Sequence, residues 1–186
     1  VAPFILTASR TSADGSVESL VSVVPTAAGT AATANITPVT TLIASRLSTS
    51  GDPLKLAAEV AAGSATVNAS TLATKVAEVQ ATLATLLSAT GETGTDPLTG
   101  SFAANGTGYD RLLDSIKVSI IPASSTTTSI EVAVKQQQAE GVAPVAIQFT
   151  SSAITIPVIP AISASNLVPS GTSALMVFKL AGSISW

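Results

Sequence analysis

Apolar and polar positions alternate with two different periods along this chain, and the change of period divides it into three zones. In the first, residues 1–34, the apolar runs Val1–Ala8 and Val17–Val24 flank the polar stretch Ser12–Ser16. Asp14-Gly15 within that stretch is a hairpin signal, so the runs read as paired strands, the second ended by Pro25. In the second zone, about 35–115, the period lengthens to that of a helix. Thr37-Pro38 supplies an N-cap and a first-turn proline, and Val39, Leu42, Ile43 and Leu47 then share one face. Asp52-Pro53 repeats the start signal ahead of Leu54, Leu56 and Val60, and Gly63 stops that helix. The strongest pattern predicts one helix over about Ser70–Ser88, with Leu72, Val76, Val79, Leu83 and Leu86 along one stripe. Thr107-Gly-Tyr-Asp110 resembles a capping box with Asp in the final position, opening a short helix through Leu112, Leu113 and Asp114.

In the third zone, 116–186, the period falls to two. Ile116, Val118 and Ile120 alternate with Lys117 and Ser119. Ile130, Val132 and Val134 alternate with Glu131 and Lys135, and Val145, Ile147 and Phe149 with Ala146 and Gln148. Each predicts a half-buried strand. Ile154–Ile159 is strand-like, but Pro157 and Pro160 place it at an edge; Ala174–Leu180 and Ser183–Trp186 predict one or two more strands. The expectation is an α+β fold: an N-terminal hairpin, a layer of three to four helices over about 37–115, and a mostly antiparallel C-terminal sheet or sandwich over about 116–186. All 186 residues fit one such domain.

Composition narrows the chemistry. There is no His and no Cys, so Ser-His-Asp and Cys-His catalysis, Cys/His zinc sites and disulfides are all excluded. Eight Lys and Arg against eleven Asp and Glu give a net charge of −3 and no basic patch, which argues against nucleic acid as a partner. Mean hydropathy is +0.55, yet Ser, Gly and Pro interrupt every apolar run before it reaches the length of a membrane span. Eleven acids leave no selected pair for glycoside hydrolysis, and one Tyr and one Trp make a poor sugar platform, so no enzyme is expected and no cofactor. The chain begins at Val1 without Met, and is read as a processed or excerpted piece.

One cluster carries candidate metal chemistry. Asp96, Asn105, Asp110 and Asp114 lie around a glycine-rich stretch and could supply oxygen ligands to calcium, although the spacing is not that of an EF-hand and no Glu closes the loop. The plainer reading makes Asp96 an N-cap, Asn105-Gly106 a turn, and Asp110 a first-turn acid.

As a set, Ala2-Pro-Phe4, Asn35-Ile-Thr-Pro-Val-Thr-Thr-Leu42, Gly51-Asp-Pro53, Asp96-Pro-Leu-Thr-Gly-Ser-Phe-Ala-Ala-Asn-Gly-Thr-Gly-Tyr-Asp110 and Leu112-Leu-Asp114 resemble a module of secreted or surface-anchored, mainly proteobacterial, proteins. The resemblance covers roughly residues 1–120. It implies an extracellular or cell-surface location and an upstream β-sandwich of the carboxypeptidase-regulatory-like type. It implies no activity. Under it, Val1–Ala8 becomes the last strand of that sandwich, standing here without partners of its own.

Residues 141–186 hold a single charge, Lys179. Charge-free strands are either covered within the fold or buried against another subunit. The second alternative points to a self-assembling surface fibre, joined by strand addition and apolar contacts. Its candidate donor residues are Val1, Pro3, Phe4, Ile5 and Leu6, and its candidate acceptor residues Ile154, Ile156, Val158, Phe178 and Trp186. A surface adhesion module binding glycans or another ligand, with or without calcium, is the competing expectation.

Overall fold

The computed structural model describes residues 3–25, 33–92, 94–122, 128–134, 145–149 and 154–155. The fold is α+β. Strands β1 (Phe4–Thr11) and β2 (Val17–Val24) form a two-stranded antiparallel hairpin. Helices α1 (Pro38–Leu47), α2 (Leu56–Ala61), α3 (Ala69–Thr82), α4 (Ala84–Ala89) and α5 (Gly108–Ser115) follow. A second antiparallel sheet then holds β3 (Ile116–Pro122), β4 (Thr128–Val134), β5 (Val145–Phe149) and β6 (Ile154–Thr155), in that order. As the prolines after it predict, β6 lies at an edge among the described strands. The strands expected over 174–186 lie outside the described residues. No helix among the described residues is long and apolar enough to cross a membrane.

α1 starts where its cap predicts. The Thr37 hydroxyl accepts the Thr40 N–H, and the Thr40 hydroxyl accepts the Thr37 N–H in return. The one-sided helix expected there is corrected: every residue of α1 is buried, including Thr40, Thr41, Ser45 and Arg46. The helix packs against β2, α2, α3, β3 and β5, so all its sides meet protein. Small and hydroxyl side chains permit that close approach, and each polar one finds a partner. Ser45 donates to the Gly51 carbonyl at 2.7 Å. Arg46 pairs with Glu78 of α3, which also accepts from Lys75 at 2.8 Å.

The long helix expected over 70–88 is two helices that meet at Leu83. α3 opens one residue earlier on an Asn68–Thr71 capping box. The backbone bonds Leu83 N–H to Val79 and Leu87 N–H to Leu83 persist, so the joint is a bend in one ladder. Beside the joint the Thr82 hydroxyl donates back to the Glu78 carbonyl at 2.8 Å. The bend keeps Leu83 and Leu86 both in the core, at 1% exposure each. The Asp52-Pro53 signal yields a tight turn, with Lys55 N–H bonding the Asp52 carbonyl, before α2 proper begins at Leu56. Gly63, at φ +74°, ends α2 as expected.

The core joins the two sheets through α1. Val21 and Val23 of β2, Leu42 and Ile43 of α1, Leu112 and Leu113 of α5, Ile116 of β3 and Phe149 of β5 form one buried cluster. Val118 and Ile120 pack on it half-buried while Lys117 is exposed, matching the predicted alternation of β3.

Candidate functional site

Two places hold the candidate residues that the structure describes best: the N-terminal hairpin, and the joint between residues 35–41 and the 96–110 stretch.

The hairpin is closed by a three-residue loop. Gly15 N–H bonds the Ser12 carbonyl at 2.9 Å and Ser12 N–H bonds the Ser16 carbonyl at 2.8 Å, with Gly15 at φ +83°. Asp14 locks the loop. The Ser16 hydroxyl and the Ser16 N–H both donate to its carboxylate, holding it below the usual carboxylate range. The register pairs Phe4 with Val24 and Thr11 with Val17. β1 therefore runs three residues past the expected Ala8, through Ser9, Arg10 and Thr11, because the turn dictates pairing whatever the side-chain polarity.

The two outer edges of this hairpin differ. On β2, the Val21 N–H donates to the Thr41 hydroxyl at 2.9 Å and the Val21 carbonyl accepts the Thr40 hydroxyl at 2.8 Å. Both backbone groups of Val21 thus point away from β1 into α1. Antiparallel pairs alternate between bonded and non-bonded, so Thr7, opposite Val21, also turns its N–H and C=O outward. The same parity turns Ile5, Ser9 and Thr11 outward. Among the described residues no strand pairs with this edge. Thr7, Ser9 and Thr11 are exposed.

Period two also splits the candidate donor residues. Ile5 lies on the face of Val21 and Val23 and packs against the core. Phe4 and Leu6 lie on the opposite face, Phe4 at 42% exposure and Leu6 half-buried. Pro3 precedes the strand, half-buried. A β1 free of partners within its own chain, as the resemblance implied, is corrected: all eight of its residues are paired with β2. Of the candidate acceptors, Ile154 stands in β6 opposite Phe149, in the other sheet. Val1, Ile156, Val158, Phe178 and Trp186 lie outside the described residues.

Among the described residues the calcium candidates do not gather into a group of three acidic side chains. The Asp96 carboxylate accepts the Leu98 N–H at 2.9 Å and the Thr99 hydroxyl at 2.5 Å. The Asn105 side-chain oxygen accepts from the Thr107 N–H and hydroxyl. Asp110, 3% exposed, accepts the Gly106 N–H at 2.7 Å. Asp114 sits half-buried near the end of α5. Each oxygen named here serves a turn or a helix start, and among the described residues no three acidic side chains converge on a cation-sized space. The expected capping box at Thr107–Asp110 is also shifted: Thr107 makes no side-chain cap bond, and Asp110 reaches back to Gly106 instead.

What this stretch does is hold the segment that leads into α1. The Asn35 N–H bonds the Leu98 carbonyl at 2.7 Å, and its side-chain amide donates to the Gly100 carbonyl at 2.8 Å. Gly100 has no room for a Cβ, which would stand 2.6 Å from the Asp96 carbonyl oxygen. Tyr109 is buried against Phe102, ring centres 5.2 Å apart, and burial pushes its phenol well above its ordinary value, keeping it neutral. Asn35, Thr40, Thr41 and Gly100 are the residues whose roles local patterning missed. Their partners lie far away in sequence, and the only sequence signal was their place in the motif set.

No protein-family model, curated protein or solved structure matches this chain.

Proposed function

We propose that the chain is a non-catalytic structural protein of the bacterial cell surface, a fibre subunit joined to its neighbours by strand addition. The observation that carries this reading is the outer edge of β1, where Ile5, Thr7, Ser9 and Thr11 direct N–H and C=O groups away from the hairpin. Such an edge takes a strand from a second copy, and Phe4 and Leu6 beside it supply apolar surface for the same contact. The charge-poor segment 141–186 supports assembly, since strands without charges are protected by burial. The motif resemblance supports a secreted or surface-anchored setting.

Electron microscopy of undenatured protein tests the reading. Regular fibres are expected. A Thr7→Pro variant removes one outward N–H without touching the bonds between β1 and β2, and is expected to give dispersed particles. Wild-type protein that stays dispersed at every concentration, or fibres unchanged by Thr7→Pro, would overturn it.

A further inference from the structure

We infer that Asn105-Gly106 is a built self-modification site, at which the Gly106 backbone nitrogen attacks the Asn105 side-chain amide to form a succinimide. Of the four asparagines in the chain, Asn105 alone is followed by glycine. Without a Cβ, and at φ +71°, Gly106 places no side chain of its own beside its nitrogen. The three parts of an acyl-transfer site surround it. The nucleophile is the Gly106 N–H, which already donates to the Asp110 carboxylate at 2.7 Å. That carboxylate is the base; it is 3% exposed, so little water competes for it. The electrophile is the Asn105 side-chain carbonyl, whose oxygen accepts from the Thr107 N–H at 3.1 Å and the Thr107 hydroxyl at 2.7 Å. Those two donors face the oxygen on which negative charge develops during attack. Asn105 itself is exposed, which gives water access to the product.

The step balances. A bond forms between the Gly106 nitrogen and the Asn105 Cγ, and the Gly106 proton passes to Asp110. The bond from Cγ to Nδ2 breaks, and the departing nitrogen takes up that proton and leaves as ammonia. Water then opens the ring at either carbonyl, giving aspartate or isoaspartate at position 105. Aspartate retains an acceptor for Thr107. Isoaspartate adds a methylene to the backbone and breaks the turn that leads into α5.

The test is timed incubation of the folded protein at neutral to mildly alkaline pH. Peptide mass mapping reads the exchange of an amide NH₂ for OH and separates the two isomers. Asn35 and Asn68 serve as internal references. Expected is conversion at Asn105 alone, faster in the folded chain than in the same chain in urea. Asp110→Asn keeps an acceptor for the Gly106 N–H but removes the base, and is expected to slow folded conversion by about tenfold or more. Circular dichroism verifies its fold. Thr107→Val, which removes one donor from a residue with no cap bond, is expected to slow conversion less, and decides the matter should Asp110→Asn not fold. Conversion slower when folded than in urea, or a folded rate unmoved by these variants, would overturn the inference.

Discussion

The two edges of the hairpin have the same backbone chemistry and opposite fates. At Val21 the β2 edge meets two threonine hydroxyls from the first turns of α1 and is fully buried. Opposite it, Thr7 presents the same pair of groups outward. The comparison teaches that a strand edge can be closed by a helix, provided hydroxyls stand at the contact. Val or Ala at positions 40 and 41 would pack as closely and leave Val21 unsatisfied. Among the described residues only the β2 edge has that closure, and the proposed strand addition rests on the β1 edge.

The strongest way to break the contrast is to open the buried edge. Thr41→Val leaves the Val21 N–H without its acceptor, and an orphaned buried donor costs about 1–3 kcal/mol. Chemical denaturation should show that loss, with Thr40→Val acting similarly through the Val21 carbonyl.

Acid attacks the same wall from behind. Glu78 is pushed up by burial, but the Lys75 ammonium and Arg46 guanidinium outweigh this and hold it below its ordinary value. At Glu59 burial also pushes upward, and donors from Ser50, Ser48 and Thr49 again win. A carboxylate depressed by folding contributes stability above its unfolded pKa and loses it as pH falls through the folded one. Stability should therefore be level above the ordinary glutamate range and decline below it. Glu78→Gln should flatten part of that decline in a pH series of unfolding curves.

Smaller effects sharpen the open side. Thr7→Pro should change monomer stability by less than about 1 kcal/mol, since its N–H faces outward, while removing assembly. Smallest of all is Arg10→Ala. The Arg10–Glu18 pair spans the strands at 2.5 Å with Glu18 half exposed, and such pairs contribute about 0–1 kcal/mol. A thermal melt should barely move.

What was legible in the sequence was local. Thr37-Pro38 marks the start of α1 because cap and acceptor lie within one turn. Asp14-Gly15 marks the hairpin because loop and register are set together. The alternation of Ile116, Val118 and Ile120 against Lys117 gives β3 because one face meets the core. Failures came where a tertiary partner decided, or where one local bond was made out of several that the pattern allows. The all-round burial of α1 depends on β2, α3 and the loop at Gly51, none of them visible from Val39 or Leu42. Beside the joint at Leu83 a hydroxyl chose a carbonyl four residues back. The four calcium candidates were gathered by closeness in sequence, but Asp96, Asn105 and Asp110 turn oxygens toward nearby backbone and hydroxyl donors. The assembly residues were half legible. The apolar run Phe4–Leu6 was plain, but only the hairpin register shows that Ile5 turns inward and Phe4 outward.

The bracket between Asn35 and Gly100 spans 65 residues and closes a loop around α1 to α4. A ribosome makes the hairpin and α1 first, yet the partners of Asn35 emerge only with the 96–100 turn. Contacts of such separation carry a large loop-closure cost and come late in folding. The growing chain therefore passes through a stage in which the hairpin and α1 can already meet through Thr40 and Thr41 while the loop of 65 residues is still open.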